Sequence, residues 1–173
     1  VLKVWANKSA DVWSGFAINT MEGDGTEKSP YLISVGEGLA YAILSGGKGL
    51  HYKLTKDIYL NELNGVDWTT GIPSDNYVPS EWLENTTFSG YFDGDGHIVN
   101  GIYYPVDNGK NFSDLGNVAL FPIIKSDTHI INVGVKNSYI EIFGRAAAIV
   151  GFVEQNSNSK NVLIDSCFSD ETV

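Results

Sequence analysis

Two groups of residues in this chain could do chemistry. The first is a set of carboxylates: Asp75, Glu81, Glu84, Asp93 and Asp95. Glycoside hydrolysis needs two carboxylates facing one groove, and these are numerous enough, but none shows a diagnostic spacing. A polysaccharide lyase would want a basic residue beside a calcium site, and no Lys or Arg stands near this cluster in the sequence. Asp93-Gly94-Asp95-Gly96 invites a calcium reading. An EF-hand loop counted from Asp93 would need Gly at its sixth position and Glu at its twelfth, which here are Ile98 and Tyr104, so the pattern fails. The stretch reads instead as a tight turn, with Gly supplying positive φ and Asp bonding its own backbone. His51, His97 and His129 lack metal-ligand spacing; His97 is expected to bond to a neighbouring corner. No resident cofactor is expected, with Ca²⁺ the weak exception. Cys167 is the one cysteine, so there is no internal disulfide framework, and the expectation is a small, half-buried thiol without catalytic partners.

The second group is aromatic. Trp68, Tyr77, Trp82 and Tyr91 lie in or beside one irregular stretch, near the hydrogen-bonding side chains of Asn76, Glu81 and Asn85. Pyranose rings stack on flat aromatic faces, which offer apolar area at little entropic cost. Trp82, Tyr77, Trp68, Tyr91 and Glu81 are therefore the candidate ligand-binding residues. The competing reading is that these rings pack the stretch onto the body of the protein.

Something must position those residues, and the sequence shows what. Between Ala119 and Phe168 one unit reads as written twice. Ala119–Ile124 lies over Ala148–Val153, Asn132–Val135 over Asn161–Ile164, and Ser138-Tyr139 over Cys167-Phe168, all at an offset of 29 (148 − 119, 161 − 132 and 168 − 139). A period in this range marks stacked repeats. Each copy holds short β-branched or aromatic runs with polar separators, and no run has helical length and spacing. The expected fold is all-β, a parallel β-helix solenoid with coils about 4.8 Å apart; two similar hairpins in a β-sandwich remain the alternative. Asn132 would stack on Asn161. Phe92 precedes Phe121 by the same offset (121 − 92) and would extend the register backwards.

Earlier in the chain, Trp5 and Trp13 suggest a packed flank, and Tyr31-Leu32-Ile33 reads as a strand. Ser34-Val35-Gly36-Glu37 matches a capping box, Leu39, Ala42 and Ile43 follow at helical spacing, and Gly46-Gly47 stop the run. This predicts one short N-terminal α-helix that caps the open end of the first coil. His51–Leu60 alternates as the first coil strand. The organisation expected is one domain over 1–173, with flank and cap at 1–50, coils at 51–173, and insertions near 61–87 and 105–117. The chain ends at Val173 just after a coil with no capping element, so it reads as an excised piece. The net charge of −10 and pI near 4.5, with Lys and Arg scattered, argue against nucleic acid and anionic membrane surfaces as partners. No stretch has membrane-spanning length, so no membrane insertion is expected.

Several blocks together resemble the GLUG-motif repeat proteins of bacteria. They are Gly25-Thr26, Pro30-Tyr31, Tyr52–Ile58, Trp68 and, above all, Phe88-Ser89-Gly90-Tyr91-Phe92-Asp93-Gly94-Asp95-Gly96-His97-Ile98. The Gly-Leu-(Val/Phe)-Gly motif is degraded here to Ala119-Leu120-Phe121-Pro122 and Ala148-Ile149-Val150-Gly151, and Ile130–Val135 matches the strand that follows it. The resemblance covers roughly residues 25–168. It implies a right-handed β-helix in a secreted or surface-attached multimodular protein, with adhesion or polysaccharide binding as its role and other modules of the same polypeptide as partners. The usual Pro-Ile-Gly after the tryptophan is Gly71-Ile72-Pro73 here, and the 74–87 stretch is unusual. The function expected is thus a non-catalytic extracellular module that binds a polysaccharide or cell-surface glycan. A fragment of a polysaccharide-degrading enzyme and a spacer without a ligand are the alternatives.

Overall fold

The structure, a computed structural model, describes residues 11–106, 116–154 and 161–170. Trp5, expected in the packed flank, and most of the 105–117 insertion lie outside those residues. The described part is built of short strands and one helix. In order these are β1 (Tyr31–Ile33), α1 (Gly36–Leu44), β2 (His51–Leu54), β3 (Ile58–Tyr59), β4 (Val66–Asp67) and β5 (Ile72–Pro73). Next come β6 (Thr87–Phe88), β7 (Tyr91–Asp93), β8 (Ile98–Asn100), β9 (Tyr103–Tyr104), β10 (Gly116–Val118) and β11 (Phe121–Ile124). The remainder are β12 (His129–Ile131), β13 (Gly134–Lys136), β14 (Tyr139–Ile140), β15 (Gly144–Ala146), β16 (Val150–Val153), β17 (Leu163–Asp165) and β18 (Phe168–Ser169).

Strand pairing is parallel throughout, apart from the β4–β5 hairpin. The largest sheet runs β1-β2-β7-β12-β17, the next β18-β13-β8-β3, the third β16-β11-β6, with β10-β15 and β14-β9 as short pairs. Apart from β1–β2 and β4–β5, strands consecutive in the chain thus go to different sheets, and each pass along the chain adds one strand to several sheets. We call each pass a rung. Alternation along a strand sends one side chain inwards and the next outwards. Tyr52, Phe92, Ile130 and Ile164 form an inward row, and His51, Tyr91, His129 and Leu163 form the outward row beside it. Phe88, Phe92 and Phe121 meet in the core, with ring centroids 5.0–5.1 Å apart for the pairs Phe92–Phe121 and Phe88–Phe121.

The repeat register differs from the sequence expectation in an instructive way. Phe121 does pair with Val150, at the expected offset (150 − 121 = 29). His129, however, pairs with Leu163 and Gly134 with Phe168, an offset of 34 (163 − 129, 168 − 134). The stretch from β16 to β17 is longer than that from β11 to β12, so one constant offset cannot hold across a rung. Phe92 pairs with Ile130 (130 − 92 = 38) and faces Phe121 across the core instead of stacking over it. Asn132 and Asn161 occupy different corners. Asn132, with φ of 55°, precedes Ser166 by one rung, and Asn161 follows Asp127 by one rung. These corners take left-handed backbone, which Asn and Asp tolerate better than other residues with a β-carbon. The Asn132 amide donates to Asp93 Oδ1 in the preceding rung at 3.0 Å instead of meeting another Asn. Cys167 likewise sits one rung past Val133, not Ser138.

The helix forms where expected but starts differently. Its N-cap is Val35, in extended conformation and without a side-chain cap bond. Glu37 does not close a box on Ser34; its carboxylate accepts from the Ser14 backbone N–H at 2.9 Å. Helix α1 packs against β1 and β6 and buries Leu39, Ala40, Ala42 and Ile43. Gly46 and Gly47 turn the chain away at φ of 82° and 67°. A β-carbon on Gly47 would lie 2.7 Å from the Phe88 ring, so the turn also needs glycine for space. Trp13 is buried, and its backbone N–H donates to Tyr59 O, which ties the described part of the flank to β3.

Candidate functional site

The candidate residues do not come together. Trp82 is buried, 3% exposed, its indole N–H shared between Ala119 O at 3.0 Å and Leu120 O at 3.2 Å. Its ring meets Trp13 edge-on at 5.1 Å. Its face is part of the core, which removes it from the set of sugar-stacking platforms. Tyr77 is half-buried and lies over Gly65; its hydroxyl donates to Asn61 Oδ1 at 3.1 Å and accepts from Glu62 N–H at 2.8 Å. Burial pushes its phenol above the ordinary value, and the neighbouring Glu62 charge adds to the rise. Trp68 is part-buried, and its indole N–H closes a local loop on Leu63 O at 2.8 Å. Glu81 is exposed. The 61–87 insertion is therefore a packed structure.

What holds it is a residue the sequence reading passed over. Asn61 is fully buried. Its amide nitrogen donates to Ser80 O and Gly101 O, both at 2.9 Å, and its oxygen accepts from Ser80 N–H at 2.7 Å and from the Tyr77 hydroxyl. One side chain thus clamps both ends of the insertion to the next rung. The hairpin tip is held separately. Tyr103 donates to Gly71 O at 3.1 Å, and the Tyr139 ring covers Gly71.

Tyr91 lies elsewhere, on the outer face of the largest sheet. Its ring stacks on His51 at 4.2 Å, with 6° between the planes, and meets His129 edge-on at 4.9 Å. The three rings come from three successive rungs in direct register. A groove of about 450 Å³ runs beside them, also lined by Lys53, Asp93 and Ile131. That volume falls within the range of ligand-sized clefts, ~300–1,000 Å³. Its polar wall is ordered. Lys53 Nζ lies 3.1 Å from Asp95 Oδ1, and Asp93 Oδ1 accepts from Asp95 N–H at 2.9 Å as well as from Asn132. The Lys53 contact corrects the expectation that no basic residue stands near the acidic cluster, because the preceding rung supplies one. Gly96 adopts positive φ and Asp93 bonds the Asp95 backbone, as the tight-turn reading expects, and Asp95 takes positive φ as well. His97 bonds to the neighbouring corner, Nδ1 lying 3.2 Å from Asp57 Oδ1, which also accepts from Ile98 N–H. Among the described residues no three His, Cys, Asp or Glu side chains cluster as a metal site would require.

Comparison with known proteins adds a distant relative. A protein of Evansella cellulosilytica described as a Gly-rich membrane protein is 27% identical over 138 residues. That stretch is 78% of this chain and 14% of the relative's length. No family model matches the chain, and no solved structure matches it. No helix among the described residues is long and apolar enough to cross a membrane.

Proposed function

We propose that the rungs wind as a right-handed parallel β-helix belonging to a secreted or surface-attached bacterial protein, and that its largest sheet binds a glycan without cleaving it. The observation that carries this reading is the strip His51–Tyr91–His129: three ring side chains in register on one outer sheet face, beside a groove with an ordered polar wall. The strip supplies apolar surface along its ring edges, and Lys53, Asp93 and the imidazoles supply directional bonds to hydroxyls. The resemblance to GLUG-motif proteins and the Evansella relative's description support a setting at the cell envelope.

Binding of the 173-residue chain to arrayed plant and microbial polysaccharides, followed by calorimetry on the best ligand, tests the proposal. Tyr91→Ala removes the central platform and is expected to cost about 1–2 kcal/mol, roughly a 5- to 30-fold loss of affinity. Absence of binding to any glycan would leave a spacer as the better reading. Release of reducing sugar or unsaturated product would replace the proposal with an enzyme.

A further inference from the structure

Asp93 stands in the middle of the groove's polar wall, flanked in register by Lys53 of the preceding rung and Ile131 of the following one. Its Oδ1 accepts twice, from Asp95 N–H at 2.9 Å and from the Asn132 amide at 3.0 Å. One donor comes from its own turn and the other from the next rung, so the carboxylate is oriented before any ligand arrives. Oδ2 has no protein partner among the described residues. The side chain is half-buried on the groove wall, and an ionised carboxylate oxygen accepts hydrogen bonds and donates none.

The charges around it have one sign in excess. Lys53 is the lysine of the groove, and its ammonium is matched by Asp95 at 3.1 Å. Glu27, exposed shortly before β1, lines the groove as well. With the imidazoles counted as neutral at pH 7, one cation stands against three carboxylates, Glu27, Asp93 and Asp95, in a chain of net charge −10. A ligand carboxylate seated against Asp93 would exchange water for a like charge, whereas a ligand hydroxyl would gain a charge-assisted bond.

We propose that Asp93 is the specificity-determining residue of this groove: it selects a neutral glycan, Oδ2 accepting from a sugar hydroxyl, and rejects the same backbone when it carries uronate carboxylates. The inference rests on the glycan-binding reading and adds to it the class of glycan. Discrimination comes from a repulsive element as well as an attractive one. Lys53 does not rescue a uronate, because its ammonium is already paired with Asp95.

The test arrays neutral glucan, mannan, xylan and galactan oligosaccharides, and prints each hexose backbone also with its C6 hydroxyls oxidised to carboxylates. Binding at pH 8 and low salt is compared for the parent chain and for Asp93→Asn. The substitution keeps an oxygen for Asp95 N–H and the Asn132 amide and puts an NH₂ donor where Oδ2 was, so the turn and the melting temperature should be unchanged. The parent should bind a neutral hexose backbone about tenfold or more tighter than its oxidised form. Asp93→Asn should lose about tenfold on the neutral form and gain on the oxidised one, so that the preference disappears or reverses. A purely structural Asp93 would weaken both forms alike, and that result would overturn the proposal. Equal or tighter binding of oxidised backbones by the parent would overturn it while leaving glycan binding intact. Binding to no glycan in either form would overturn it together with the reading on which it rests.

Discussion

Replacing Trp82 with Ala separates a core residue from a ligand platform. The structure gives three contributions to lose. A buried indole truncated to a methyl costs about 3–5 kcal/mol through lost transfer energy and the residual cavity. That range already includes much of the edge-on contact with Trp13, worth ~0.5–1.5 kcal/mol on its own. The indole N–H shared by Ala119 O and Leu120 O adds about 1 kcal/mol, and both carbonyls then lie under a void. A total near 4–5 kcal/mol stands against roughly 9–26 kcal/mol for a chain of 173 residues. The variant should therefore fold. Its melting temperature should fall by about 8–20 °C, at ~2–4 °C per kcal/mol. Thermal unfolding followed by far-ultraviolet circular dichroism measures this, and glycan binding by the still-folded variant at low temperature should stay within twofold of the parent. An almost unchanged melting temperature together with lost binding would refute the reasoning, because the indole would then be meeting ligand.

Three further outcomes follow from the same geometry. Asn61→Ala leaves Ser80 N–H, Ser80 O and Gly101 O without their buried partner, so a loss of about 3–5 kcal/mol is expected in urea unfolding, with proteolysis shifting to the 61–87 insertion; Tyr77→Phe, which removes one side-chain hydroxyl only, should cost about 1 kcal/mol. Burial, with a smaller effect from the Asp165 charge, pushes the Cys167 thiol up, so at pH 8 iodoacetamide should label it several-fold more slowly in the native chain than in the urea-unfolded chain; equal rates would contradict the burial.

The large-scale organisation was legible because it depends on residue type. Tyr31–Ile33 and the run ending at Gly46-Gly47 follow from residue type, helical spacing and left-handed stops, and the His97 corner bond follows from its place in a tight turn; the single strand expected over His51–Leu60 is instead broken into β2 and β3, which join different sheets. The register was not legible. Matching at a constant offset assumes equal corner lengths, and the longer stretch between β16 and β17 shifts every later residue by five (34 − 29). Aromatic type alone could not tell Trp82, turned into the core, from Tyr91, turned out of it. Asn61 was invisible because its four bonds reach residues far along the chain. The ring strip did leave a signal. His51-Tyr52, Tyr91-Phe92 and His129-Ile130 each place a ring one position before a buried side chain, and only the correct register aligns them.

Binding at that strip can be read residue by residue, because the chain holds three histidines, His51 and His129 beside Tyr91 and His97 at the Asp57 corner. Imidazole proton resonances recorded during titration with the best glycan from the array should move for His51 and His129 and stay fixed for His97. Saturable shifts confined to His97, or binding with all three unmoved, would contradict the account.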